Sequence, residues 1–303
     1  MKMALIGLGK MGSNMARRLC RGGIEVVGFN RSPKIVDTLA SEEKMIPATS
    51  IEDAINKLNG QRIVWLMLPS GDPTEQMIQQ LIPLLNQGDI VIDGGNSNFH
   101  DTQRRHDMLD KHSINFMDAG TSGGVWGLDN GYCMMVGGSK ENFATIEPII
   151  KVLAPGEAQG WIHAGPCGSG HYTKMIHNGI EYGMMQAMAE GFAIMESKTE
   201  FNLDLAGLAE SWRHGSVVRS WLLDLTADFL KEDQKLTAID PFVSDSGEGR
   251  WTCIEAIDQG IYAPVLSLAI HARFASQGNG DYGNKMLSMM RNAFGGHAMK
   301  SAN

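Results

Sequence analysis

The sequence predicts an α/β N-terminal portion built on a doubly wound parallel sheet, followed by an all-α C-terminal portion. Short apolar, partly β-branched runs alternate with helix-length stretches through the first half of the chain. A glycine-rich turn joins the first such run to the first helix, and after His163-Ala164-Gly165-Pro166 the strand signals give way to almost continuous helix.

In order, residues 3–6, 25–29, 63–68, 90–93 and 115–118 read as buried strands bounded by Gly, Pro or Asp. Residues 10–21, 35–41, 51–58, 74–85 and 101–111 read as the helices between them, and such alternation returns each strand in the same direction. Residues 132–136 add a strand and 140–153 a helix. From Gly168 a long helix runs to about Lys198, followed by helices over 203–214, 217–231, 251–259, 264–276 and 284–294. A domain boundary is expected near residue 165. Residues 1–165 then form a dinucleotide-binding domain, and 166–303 a helical domain for substrate binding and dimerisation.

Composition bounds the function. A chain of 303 residues, 43% hydrophobic, supports a sizeable core and about two domains. Its net charge of -8 implies no broad basic surface for nucleic acid, so an anionic ligand must be met by a few local cations. Cys20, Cys133, Cys167 and Cys253 are far apart, suggesting neither a zinc site nor a disulfide framework. The glycine-broken start MKMALIGLGKMG is too short for a membrane span and lacks a signal-peptide cleavage region. A cytoplasmic protein with no membrane partner is expected.

Gly7-Leu8-Gly9-Lys10-Met11-Gly12 matches G-x-G-x-x-G between a strand and a helix. The first glycine permits the tight turn, the second admits a pyrophosphate to the backbone, and the third lets the helix pack on the strand. The pattern predicts a Rossmann-type site; a glycine turn with no ligand is the alternative. Asn30-Arg31-Ser32, followed by Lys34, ends the second strand without a carboxylate for a ribose 2′-hydroxyl. Arginine's planar fork suits a 2′-phosphate, so NADP is preferred over NAD, unless Arg31 is an ordinary loop cation. Leu68, closing the third predicted strand, joins the cofactor set.

Two glycine loops follow predicted strands: Asp93-Gly94-Gly95-Asn96-Ser97 and Ser122-Gly123-Gly124-Val125-Trp126-Gly127. Ligands of open α/β sheets bind outside these carboxyl ends, where Asn96 and Ser122 offer hydrogen bonds to hydroxyls or a carboxylate. Both segments also read as plain tight turns. Further on, Lys174, His177, Asn178, Glu181 and Tyr182 share one face of a 3.6-residue helix, with Met175, Ile176 and Ile180 free to anchor it. That face is either a functional set for a polyhydroxy acid or a solvent-exposed run of stabilising pairs.

The stretches DGGNS, TSGG, KMIHNGIEYG and RNAFGGH resemble the 6-phosphogluconate dehydrogenase family, within the β-hydroxyacid dehydrogenases, over nearly the whole chain from Gly7 to His297. The chain looks like the short form, without the repeated helical portion of longer members. The resemblance implies that Lys174 is the proton-shuttling base and Glu181 the acid that protonates an enediol, without a metal. It gives Asn96, Ser122, Gly123, Gly124, His177 and Asn178 to the carboxylate and hydroxyls of a phosphorylated sugar acid. It gives Tyr182, Arg250, Arg273, Arg291 and His297 to the phosphate. Arg250 replaces the lysine usual in longer members, which keeps the charge and alters the geometry. Residues matching Arg291 and His297 reach a neighbouring subunit's site, implying a homodimer or homotetramer with a shared active site. A sibling acting on a small unphosphorylated 3-hydroxy acid would not need the basic cluster, and a non-catalytic dinucleotide-binding protein would not need Lys174 and Glu181.

Overall fold

The computed structural model describes residues 1–295 and 298–300. Its elements run β1 (Lys2–Ile6), α1 (Lys10–Arg21), β2 (Glu25–Phe29), α2 (Pro33–Glu43), β3 (Ile46–Pro47), α3 (Ile51–Asn56), β4 (Ile63–Leu66), α4 (Asp72–Leu81), β5 (Ile90–Asp93) and α5 (Phe99–Asp110). They continue with β6 (Asn115–Ser122), α6 (Gly127–Asn130), β7 (Cys133–Gly137), α7 (Lys140–Leu153) and β8 (Trp161–Gly165). Then come α8 (Ser169–Ser197), α9 (Leu205–Trp212), α10 (Trp221–Glu232), α11 (Glu248–Asp258), α12 (Pro264–Ser276) and α13 (Asp281–Gly295). The chain divides into two compact units, Met1–Met175 and Ile176–Asn303.

In the first unit eight strands form one sheet in the order β3-β2-β1-β4-β5-β6-β7-β8. Both faces are covered, as a sheet with helical crossovers requires. Met3, Leu5, Ile63, Trp65, Ile90 and Ile92 belong to one core, while Ala4, Ile6, Val64, Leu66 and Val91 belong to the other. The split follows the two-residue period of each strand. Helix α1 buries Gly12, Ser13, Met15, Ala16 and Leu19 along one stripe. Leu19 is fully buried, and truncating it to Ala costs about 3 kcal/mol. Arg18 of α1 donates to the carbonyls of Val152, Leu153 and Ala154, acceptors left open where α7 ends, and to that of Leu128 in α6.

The sheet departs from the expected all-parallel pattern at one pairing: β7 runs antiparallel to β6. The link over 123–132 holds only a short 3-10 turn and the four-residue α6, less than the dozen or so residues of a parallel crossover. Two strands escape the sequence reading. β3 has only two residues, and β8 is an edge strand that carries His163 and ends on glycine.

In the second unit, Met188, Phe192 and Met195 of α8 pack with Leu205 and Ala209 of α9 and Leu223, Ala227 and Leu230 of α10. A neighbouring cluster joins Tyr182 and Met185 of α8 to Cys253 of α11 and to Leu266, Ala269 and Ile270 of α12. Gly179 faces Thr252 and Gly249 faces the Tyr182 ring so closely that a Cβ at either glycine has no room. Ile180, expected to anchor α8, is instead 51% exposed in the single chain. Among the described residues no helix is long and apolar enough to cross a membrane.

Candidate active site

The strand order reverses between β1 and β4, and the crevice at such a reversal is where open sheets take their ligands. Gly7 has φ +97°, a left-handed conformation open to glycine, and a Cβ there would strike the Met67 carbonyl. Gly12 sits against the Gly7 carbonyl, so the turn and the first turn of α1 are locked together. The α1 cap is Gly9, which brings no side chain, and its first turn holds no acidic residue. Backbone N–H groups are therefore presented at a positive helix end, a cradle that fits a dinucleotide pyrophosphate.

Two other predicted cofactor residues, Asn30 and Leu68, touch this turn. Asn30 accepts from the Leu8 N–H at 3.1 Å and donates to the Ser32 carbonyl at 3.3 Å. Leu68 touches the space beside Gly7, and its carbonyl blocks any Cβ on Gly95. Lys10 and Arg31 are exposed and Met11 half-buried. Among the described residues, Arg31 and Lys34 form no ion pair.

The loop carrying Asn96 rests on a buried polar network that sequence reasoning missed. The Asp93 carboxylate accepts from Gly95 N at 3.0 Å, from Ser97 Oγ at 2.7 Å and from Arg105 at 3.3 Å. Arg105, 1% exposed, also donates to Glu75 at 3.0 Å and to the Gly71 carbonyl at 3.0 Å. Asn96 itself is exposed at the loop tip. Hydrogen bonds from Arg104, then Arg105, hold the Glu75 carboxyl down at about 2. Three arginine–carboxylate contacts and two glycines thus fix a five-residue loop, and the only local signal was the DGG turn itself.

Ser122 ends β6 half-buried, followed by Gly123 and Gly124 at φ +134° and +52°. The exposed Val125 accepts through its carbonyl from Asn14 of α1 at 3.2 Å, tying this loop to the glycine turn's helix. Lys174, 7% exposed, stands over Gly120, whose missing Cβ leaves the space the lysine occupies. Close by, burial first and then the Asp118 carboxylate push the Cys167 thiol well above its ordinary range, keeping it protonated. Among the described residues no group of three or more His, Cys, Asp or Glu side chains is placed to hold a metal ion.

Within the second unit, His177 and Asn178 share a 3.1 Å hydrogen bond, and His177 lies 4.0 Å from Glu181. The Arg273 guanidinium stacks 3.5 Å above the Tyr182 ring and donates to the Ser244 carbonyl at 2.6 Å. Arg250 pairs with Asp245 and lies 5.7 Å over Phe274. Tyr182, Arg250 and Arg273 are thus brought together around the loop 244–247 and the start of α11. Arg291 is exposed on α13, and among the described residues no hydrogen bond, ion pair or ring contact joins it to these three. His297 lies outside the described residues.

Residues 2–165 match the NAD binding domain of 6-phosphogluconate dehydrogenase, and residues 170–291 match that enzyme's C-terminal domain. The Bacillus subtilis protein YqeC is 40% identical over 298 residues, covering 98% of this chain and 99% of its own. The NAD(+)-dependent, decarboxylating 6-phosphogluconate dehydrogenase of Haloferax volcanii is 37% identical over 298 residues, 98% of each protein. The 6-phosphogluconate dehydrogenase of Plasmodium falciparum, solved with its cofactor NADP+ and with its substrate 6-phosphogluconate, superposes with a TM-score of 0.84 at 27% identity. That match covers 100% of this chain and 66% of the parasite chain. This chain belongs to the 6-phosphogluconate dehydrogenase family.

Proposed function

We infer that this chain catalyses the oxidative decarboxylation of 6-phosphogluconate to ribulose 5-phosphate and CO2, reducing NADP or NAD. The observation that carries the reading is the buried Lys174 amine side chain set over Gly120, at the carboxyl end of the strand that leads into Ser122-Gly123-Gly124. A lysine is rarely buried without a task.

In the proposed division of labour, residues 1–165 bind the dinucleotide and 166–303 bind the substrate and a second subunit. Gly7, Leu8, Gly9, Lys10, Met11 and Gly12 receive the pyrophosphate, with Asn30, Arg31, Ser32, Leu68 and Asn96 around the rest. When bound, the nicotinamide supplies the acceptor for the hydrogen and electron pair from the substrate's C3. Lys174, as the amine, takes the proton of the C3 hydroxyl. The ammonium so formed gives that proton to the C3 oxygen as the C1–C2 bond breaks and CO2 leaves, producing an enediol. Glu181, as the acid, protonates the enediol carbon, and Lys174 takes the hydroxyl proton back as the ketone forms.

Asn96, Ser122, Gly123, Gly124, His177 and Asn178 orient the carboxylate and hydroxyls. Tyr182, Arg250 and Arg273 take the phosphate, and Arg291 and His297 complete it from a neighbouring subunit of a homodimer or homotetramer. The scheme uses no metal, and a cytoplasmic setting suits it. NADP is the preferred cofactor, because Arg31 is exposed and unopposed by a carboxylate; the Haloferax relative is named for NAD(+).

The test is the initial rate of nicotinamide reduction with 6-phosphogluconate, run with NADP and with NAD, using gluconate as control. Turnover confined to the phosphorylated acid is expected, with NADP the better acceptor, and no turnover with either cofactor sinks the reading. Lys174→Met should lose turnover while retaining dinucleotide affinity; activity near wild type would remove Lys174 from the base role.

A further inference from the structure

Strand β6 presents Asp118, Gly120 and Ser122 at alternate positions, hence on one face. Ser122 opens the loop proposed to hold the substrate, and Gly120 makes room for Lys174. Asp118, two residues before Gly120, is fully buried, and both of its oxygens are engaged by the start of α8. Oδ1 accepts from the Gly168 N–H and Oδ2 from the His171 N–H, each at 2.7 Å. The His171 ring is held in turn by the Thr102 hydroxyl at 2.7 Å.

The contact is built for close approach. A Cβ on Gly170 would strike the carbonyls of Met135 and Asp118, and one on Gly137 would strike the Asp118 carboxylate. A helix start needs acceptors for its open N–H groups, and a local Ser, Thr, Asp or Asn ordinarily provides one. Here Gly168 precedes the helix with no side chain, and the acceptor comes from a strand 50 residues away in sequence. That arrangement does what a local cap does not. Two bonds to N–H groups three residues apart hold α8 against sliding along its axis and against turning about it. Lys174 lies three residues beyond His171, so its height over Gly120 is set by the same bonds.

We infer that Asp118 is a positioning residue for Lys174, fixing the lysine's height relative to Ser122 through the start of α8. The inference rests on Lys174 being the base. Its effect is therefore expected in the chemical step and not in dinucleotide binding, since a small misplacement of a reacting group costs rate more than affinity.

Asp118→Asn tests it, because the amide keeps the volume and one acceptor but turns an NH2 toward the second donor. The matched control is Asp89→Asn. Asp89 is also buried and accepts two backbone N–H groups, from Arg62 and Asn86, each at 2.8 Å, at the opposite end of the sheet. The readings are the melting temperature, the NADP dissociation constant, and kcat and KM for 6-phosphogluconate. Asp118→Asn is expected to lose about 100-fold in kcat while its NADP dissociation constant changes by less than about two-fold. Asp89→Asn should keep kcat within about two-fold at a comparable loss of melting temperature. Equal kcat in the two variants overturns the inference, as does a loss shared equally between kcat and NADP binding. Should Asp118→Asn not fold, Asp118→Ser, which retains a single acceptor, takes its place with the same readings. Lys174→Met measured alongside separates the two ideas. An active Lys174→Met removes the base reading, whereas an inactive one beside a fully active Asp118→Asn removes only the positioning role.

Discussion

Tyr182 shows how a single hydroxyl is committed by its neighbours. Ser246 donates to the Glu248 carboxylate at 2.7 Å, so its one hydrogen is spent. The Tyr182 hydroxyl, 3.0 Å from the Ser246 oxygen, then supplies the hydrogen of that second bond. Its phenol is thereby tied to the segment 244–248 that leads into α11, whose first turn carries Arg250, while its ring supports Arg273. The proposed phosphate role of Tyr182 is in large part to hold two arginines in place. Tyr182→Phe keeps the ring stack and releases the loop. KM for 6-phosphogluconate should rise about 10-fold, the worth of one hydrogen bond of ~1.4 kcal/mol, with kcat within about two-fold. Steady-state kinetics checks this, and an unchanged KM would show that the tether does not matter to the phosphate residues.

At the scale of elements, the adjacent strands β5 and β6 each bear a buried aspartate, Asp93 and Asp118 in paired register, that fastens a neighbouring segment. Asp93 fastens its own loop with help from Arg105 and Glu75, and Asp118 fastens the start of α8. The Glu75 link has a pH signature. Its folded value of about 2 lies below the ordinary 4.5, so its contribution is fully present above about 4.5 and disappears as pH falls toward 2. Glu75→Gln should lower stability by about 1 kcal/mol at pH 7, a modest figure because Glu75 is partly open to solvent. Thermal melts across pH should show the gap to wild type closing as pH drops from 4.5 to 2; a constant gap would mean the arginine pairing contributes nothing. The same elements differ in how far the sequence reveals them. Six of the eight strands and the glycine turn are legible because apolar period and glycine spacing are local. The direction of β7 is not, since a two-residue period reads the same both ways. Nor is the anchor of α8, because Asp118 and His171 are 53 residues apart and each looks like an ordinary core or helix residue alone. Ile180 misled for the opposite reason: an apolar residue in a helical stripe marks a face, without saying what covers it.

For the assembled protein, the proposed phosphate role of Arg291 can be tested apart from that of Tyr182, Arg250 and Arg273. Tyr182, Arg250 and Arg273 gather in the second unit, while Arg291 stands exposed on α13 and, among the described residues, shares no hydrogen bond, ion pair or ring contact with them. In the proposed shared site, Arg291 would serve the phosphate of the neighbouring chain instead of that of its own. A two-fold assembly would exchange two such arms reciprocally. The prediction comes from counting sites. On this proposal Lys174→Met removes the base of its own chain, and Arg291→Ala weakens the phosphate site of its neighbour. Refolding the two inactive variants together makes mixed dimers with one fully equipped site, so at random mixing about a quarter of wild-type activity should return at low substrate. If Arg291 serves its own chain, each chain in the mixture still carries one lesion, and activity will not exceed that of the separate variants.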